Sequence, residues 1–431
     1  MGEYLNEYLI EGGVPLIGTI KASGNKNAAL PCIAAALLTD EEVVLKNIPD
    51  IEDVQVMFEI YAALGGEVAY LGPNAYRLQL GNINSPAIPF DKAKKIRASI
   101  LFAGPLLART GKVIMPPPGG DVIGRRRLDT HFLALAELGA KIKISDCYTI
   151  SAKSLYGADI FLDEASVTGT ENAVMAAVLS NGKTVISNAA SEPHVQDLCR
   201  MLVLMGAKIE GIGSNILSIT GVKKLSGCSF SIGADFMEIG SFIGLAAATH
   251  GDLHIEGARS EDLRSAKIAF GKLGITWAQE GTVIHVPKNQ QMKVNYDMGG
   301  IIPKIDDAPW PGFPPDLTSI ITVVATQVKG TVLIHEKMFE SRMFFVDKLI
   351  RMGAQIVLCD PHRAVVSGPS KLHGSDLISP DVRAGMAMII AAMCAEGKSV
   401  IRNIYQIERG YENLAGRLSV LGAQIVKTAL V

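Results

Sequence analysis

No two cysteines in this chain form a CxxC pair. The six present, Cys32, Cys147, Cys199, Cys228, Cys359 and Cys394, lie far apart. That spacing excludes a zinc ribbon or a dithiol redox motif, and it reads as reduced, mostly buried thiols of a cytoplasmic protein. Charge of one sign is also missing: 41 Lys and Arg against 43 Asp and Glu leave a formal net charge of -2. Nothing in bulk charge therefore draws the chain to nucleic acid or to an anionic lipid surface. Aromatic residues are sparse at 6%, and the most apolar stretch, 28 to 38, contains Pro31 and is too short to span a bilayer. The first ten residues, MGEYLNEYLI, carry acids and no long apolar run, unlike a signal peptide. The eight histidines are scattered, so no metal cluster with usable spacing is visible and no cofactor is expected.

What is abundant is apolar residues, 48% of 431, arranged with a period. A Leu/Met-Gly turn closes an apolar helix six times: Leu64-Gly65, Leu138-Gly139, Met205-Gly206, Leu273-Gly274, Met352-Gly353 and Leu421-Gly422. Intervals of 67 to 79 residues mean one supersecondary unit repeated. One copy, residues 97 to 153, reads as an apolar helix, a short strand, a second helix and a hairpin (KIKI, YTISA). The first helix of a copy, as in MEIGSFIGLAAATHG or VRAGMAMIIAAMCAEG, is apolar nearly all round. Such helices pack inside, which leaves the sheets outside.

Six units in 431 residues favour two domains of three units each. The segment Leu9 to Ile20 is read as one strand belonging to the second half. The division expected is roughly 24–232 for one domain and 1–23 plus 233–431 for the other, with crossings near Ser23 and Gly233 acting as hinges.

Three segments break the repeat. In KASGNKNAALP (21–31), a strand runs into Ser23-Gly24-Asn25 and a helix starts near Lys26. Free N–H groups at a helix start, with a lysine beside them, suit an anion. An Asn cap with a solvated lysine is the alternative. In MPPPGGDVIGRRRLD (115–129), prolines, glycines and Asp121 precede Arg125-Arg126-Arg127. This is either a segment that closes over an anionic ligand or a solvated charged loop. The third break is a set of isolated charges at the starts of apolar helices: Arg97, Asp316, Arg383 and Arg409. They either converge on a ligand, or cap a helix (Asp316) and face solvent (the arginines).

Together these segments resemble the enolpyruvyl transferase family, in its UDP-N-acetylglucosamine branch, over nearly the whole chain. The residues that carry the likeness are GNKNAALP, IRAS at 96–99, GGDVIGRRRLDTH, TENAVMAAVLSNGKTVISNAASEPHVQDL, PGFPPDL, MFESR, DVRAG and ERGYENL, in the family's order. The resemblance implies an α/β fold, a two-domain inside-out α/β barrel with three inverse units per domain and the active site in the cleft between them. It also implies transfer of the enolpyruvyl group of phosphoenolpyruvate to the 3-hydroxyl of UDP-N-acetylglucosamine, an early step of peptidoglycan synthesis. By that likeness Asp316 is the base, Asp121 supplies a proton, and Lys26, Arg126 and Arg409 clamp phosphoenolpyruvate with Arg383 beside them. Asn27, Arg97, Arg126, Ser166, Val167, Thr168 and Met338 match sugar-nucleotide contacts. A monomer or weak homo-oligomer, binding neither nucleic acid nor membrane, is expected.

Three departures stand out. Asp121 replaces the usual loop cysteine, which implies resistance to the epoxide fosfomycin. Phe236 stands where an arginine is usual, which points to an altered acceptor or hinge, and Ser341 replaces an asparagine. The readings that compete with the main one are an enolpyruvyl transferase for another nucleotide acceptor and a non-catalytic nucleotide-sugar-binding regulator.

Overall fold

The structure, a computed structural model, describes residues 6–120 and 127–429. Six copies of one unit form within them. The opening helices are α1 (Lys26–Ala35), α2 (Ala103–Thr110), α3 (Val167–Ala177), α4 (Phe236–Ala248), α5 (Thr318–Thr326) and α6 (Val382–Cys394). Each is followed by a strand, a second helix and a further hairpin or strand. Among the described residues, five sheets have four strands, and one, built on Lys112–Met115, has three.

The described residues divide into two compact units. One comprises the chain up to Ser23 and from Ala234 onward; the other runs from Gly24 to Gly233. Each has its own apolar core. The apolar all-round helices form those cores: all thirteen residues of α4 are buried, as are Val382–Met393 of α6. Glycine inside α4 costs helix stability, and the neighbouring helix explains why it is there. A Cβ on Gly240 would lie 2.6 Å from the Leu317 side chain, and one on Gly244 would lie 2.7 Å from that of Ile320. Close approach of α4 to α5 and to the turn before it requires both.

The Leu/Met-Gly turns have one physical origin. Gly65, Gly139, Gly206, Gly274, Gly353 and Gly422 all have positive φ, between 72° and 109°. A residue in this left-handed region ends a helix at no Cβ penalty only when it is glycine.

The expected strand Leu9 to Ile20 is instead two strands in different sheets. Asn6–Glu11 lies between Lys398–Arg402 and Gln424–Ala429, whereas Ile17–Lys21 pairs in parallel with Asp252–Glu256. Gly12, Gly13 and Pro15 break the run between them. At the crossings, strands are exchanged. Ile17–Lys21 leads into α1 yet pairs with the strand after α4. Cys228–Ser231 leads into α4 yet pairs in parallel with Val43–Lys46, the strand after α1. The Asp235 N–H donates to Ser23 O, and the Asn25 N–H to Gly233 O, both at 2.8 Å.

Candidate active site

Within residues 24–233, the start of α1 is capped by its own sequence. The Asn25 side chain accepts from the Asn27 and Ala28 N–H groups, so the Asn-cap reading holds for these amides. Lys26, however, is not solvated. Its Nζ lies 2.6 Å from Oδ2 of Asp53, and the two side chains are only 14% and 6% exposed. Asp53 sits in the first turn of the helix Glu52–Ala63, where the helix dipole favours a carboxylate. Lys26 is thereby tied to a carboxylate rather than left in solvent.

Arg97 opens a short 3-10 helix, half-buried, and its Nη2 donates to Arg127 O at 3.0 Å. Ser166 caps α3, accepting from the Gly169 N–H; Val167 and Thr168 follow in its first turn. Thr168 Oγ1 lies 3.0 Å from His131 Nε2, and Asn172 Nδ2 lies 2.9 Å from His131 Nδ1. The amide NH2 can only donate, so Nδ1 accepts and Nε2 carries the proton that points to Thr168. Burial, aided by the charge of Arg97, pushes His131 down to about 3.

This has a stability consequence. Unfolded, the same imidazole titrates near 6.5, so the folded form binds fewer protons below that pH. Stability conferred by the neutral ring is complete above pH 6.5 and is lost as pH falls toward 3. At pH 5 the loss is roughly 2 kcal/mol from this one residue. The free energy of unfolding, measured between pH 7 and pH 5, should fall less in His131→Gln than in the wild type.

In the other unit, Asp316 does not cap α5. It lies in the turn Pro315–Leu317 and accepts from two arginines: Arg383 Nε at 3.0 Å and Arg342 Nη2 at 3.1 Å. Burial works to raise its pKa, but the two guanidinium groups prevail and hold the carboxyl well below the usual carboxylate range. Arg383 also donates to the Tyr411 hydroxyl at 3.1 Å and lies over that ring, and the hydroxyl is 2.9 Å from Ser241 Oγ. Arg383 and Arg409 are each only 6% exposed, so these arginines do not face solvent. Arg409 donates to Gln406 Oε1 at 3.2 Å and lies over the Tyr405 ring. Met338 is 39% exposed, and its N–H donates to Asp307 at 3.2 Å. Behind Arg342 lies Glu336, fully buried, with one carboxylate oxygen 4.0 Å from Arg342 Nε and its pKa raised by burial.

The structure thus joins Asp316 to Arg383 and Lys26 to Asp53. Asp121, Arg125 and Arg126 lie outside the described residues. Sequence reasoning missed Asp53, Arg342, Glu336 and Tyr411. Arg342 and Tyr411 stand inside MFESR and ERGYENL, where membership of a motif was the available signal; Asp53 and Glu336 carried none.

Most of the chain, residues 10–418, matches the family model described as EPSP synthase (3-phosphoshikimate 1-carboxyvinyltransferase). The UDP-N-acetylglucosamine 1-carboxyvinyltransferase of Treponema denticola is 68% identical over 421 residues, covering 98% of this chain and 99% of its own. That of Treponema pallidum is 64% identical, covering 97% and 99%. The chain belongs to the UDP-N-acetylglucosamine 1-carboxyvinyltransferase family. Its fold is that of the enolpyruvyl transferases. The enolpyruvyl transferase NikO of Streptomyces tendae superposes with a TM-score of 0.88 at 22% identity, covering 99% of this chain and all of that one. The EPSP synthase of Acinetobacter baumannii gives 0.76 at 16%, covering 98% and 100%.

Seen in a carboxyvinyltransferase, the departure at Phe236 has a packing explanation. The side chain is 2% exposed and meets Trp310 edge-on, centroids 5.7 Å apart. Trp310 belongs to the loop that leads to Asp316, so Phe236 supports that loop from the core. The acid two residues on, Glu238, accepts from the Ser23 N–H at 2.6 Å and pairs with Arg417, which anchors the crossing.

Proposed function

We propose that this protein transfers the enolpyruvyl group of phosphoenolpyruvate to the 3-hydroxyl of UDP-N-acetylglucosamine, with release of phosphate. What carries this reading is 68% identity, over nearly the full length of both chains, to a carboxyvinyltransferase of that specificity. Phosphoenolpyruvate is a dense anion, and Lys26, Arg126 and Arg409 are the cations assigned to it, with Arg383 adjoining. Asn27, Arg97, Ser166, Val167, Thr168 and Met338 are assigned to the sugar nucleotide, with Arg126 reaching both ligands.

The chemistry is an addition followed by an elimination. Asp316 takes the hydroxyl proton as the sugar oxygen bonds to C2 of phosphoenolpyruvate, and Asp121 protonates C3. Loss of a proton from the new methyl group and departure of phosphate then restore the double bond. Arg383 and Arg342 hold Asp316 as a weak base. An incoming anion that competes for Arg383 frees the carboxylate, so basicity rises as substrate binds.

We read the enzyme as cytoplasmic and as a monomer or weak homo-oligomer. Among the described residues, no helix is long and apolar enough to cross a membrane. Phosphate release from phosphoenolpyruvate, assayed against a panel of nucleotide sugars, should depend on UDP-N-acetylglucosamine. Equal or greater release with a different acceptor, or none with any, would overturn the reading.

A further inference from the structure

Two imidazoles and a carboxylate meet on the outer face of one sheet in the unit that contains Asp316. The sheet joins Ile17–Lys21, Asp252–Glu256, Val283–Val286 and Ala278–Glu280. In Asp252–Glu256, residues 253 and 255 are buried, so Asp252 and His254 share the solvent side. The antiparallel register sets His285 directly opposite His254. Their rings stack with centroids 4.3 Å apart and planes within 6°. His285 Nε2 lies 2.8 Å from Oδ1 of Asp252. One ligand atom from each of the three residues falls within 4.8 Å of the other two. The pair is separated by 31 positions in sequence, which is why spacing along the chain hides it.

We infer that Asp252, His254 and His285 bind a divalent transition-metal ion of the zinc type. Two imidazole nitrogens with one carboxylate oxygen suit zinc, nickel or copper. Magnesium and calcium take shells made of oxygen and are poorly served here. Zinc–nitrogen and zinc–oxygen bonds of about 2.0–2.2 Å require ligand atoms roughly 3.3 Å apart. Rotation of these surface side chains closes the remaining gap while the strand register stays as it is. The other coordination positions face solvent and take water. Bound there, the ion ties Asp252–Glu256 to Val283–Val286 and replaces the His285–Asp252 hydrogen bond as the link that orients the carboxylate. None of the three residues has a part in the proposed enolpyruvyl transfer, so the two readings stand or fall separately.

Calorimetric titration of the metal-free, full-length protein with zinc sulfate tests this. The exposed Cys359 also binds zinc in principle, so the titration uses a Cys359→Ser background. A saturable one-to-one site is expected, weakened roughly tenfold or more in His254→Ala and in His285→Ala. Zinc should raise the melting temperature of the parent protein and leave that of the double variant unchanged. Copper(II) in place of zinc should show hyperfine coupling to two nitrogens by electron paramagnetic resonance, lost in the double variant. All three side chains face solvent, so the variants should fold and retain transferase activity. No saturable uptake by the parent, or identical titrations of parent and double variant, would overturn the assignment.

Discussion

Asp316→Asn should lower kcat on the order of 10²-fold or more, the scale of a lost general base. The amide keeps the shape of the side chain and its place after Pro314 and Pro315 but cannot accept the hydroxyl proton. A second effect accompanies the first. Arg383 and Arg342 are nearly buried and both point at this carboxylate. Removing its charge leaves two cations poorly compensated, a change that costs about 3–5 kcal/mol when a buried pair is broken. Thermal melting of the variant therefore has to accompany the kinetics, with turnover measured where the variant is fully folded. The pH profiles sharpen the test. With its pKa held low by the arginines, Asp316 stays ionised in the free enzyme, so kcat/KM should show no ionisation of this group above about pH 4. Substrate that draws Arg383 away raises the pKa, so kcat should fall on the acid side as the bound enzyme protonates. Wild-type turnover in Asp316→Asn would refute the base assignment.

Fosfomycin should not inactivate this enzyme, and Asp121→Cys should make it sensitive. Alkylation by an epoxide needs a good nucleophile at this position. A carboxylate is a far weaker one than a thiolate. Four of the chain's own thiols are poor substitutes: burial pushes Cys394 up to about 12, Cys228 to about 11 and Cys199 to about 12, and raises Cys32 as well. Few of these are ionised at neutral pH. A cysteine at 121 can still donate a proton, so the variant should turn over and then lose activity progressively on preincubation. Mass spectrometry should find one fosfomycin adduct on the loop peptide of the variant and none on the wild type. Time-dependent covalent inactivation of the wild type would sink this account.

The repeat was legible because each helix ends in the same way. A glycine at positive φ after Leu or Met is a local requirement, visible one residue at a time, and six of them mark six units. The central helices were legible for a similar reason, since a helix buried on every side has no polar stripe. Partners that meet across the fold were not. Nothing near Lys26 announces Asp53, because the pairing depends on where a second helix starts. The arginines on Asp316 come from residues 26 and 67 positions away, brought there by packing alone. His254 and His285 read as scattered because strand register, not spacing, makes them neighbours. The split of Leu9 to Ile20 is written in Gly12, Gly13 and Pro15, but apolar residues on both sides of that break mask it in the sequence pattern.

The place of Asn6–Glu11 in its sheet imposes an order on folding. Everything needed for the unit from Gly24 to Gly233 has been made once residue 233 emerges, so that unit can close early. The first strand, Asn6–Glu11, is made before any of it. Its two neighbours, Lys398–Arg402 and Gln424–Ala429, are made long after that unit. Asn6–Glu11 therefore waits for its partners while the residues between are synthesised, and the sheet it shares with Lys398–Arg402 and Gln424–Ala429 closes the second core late.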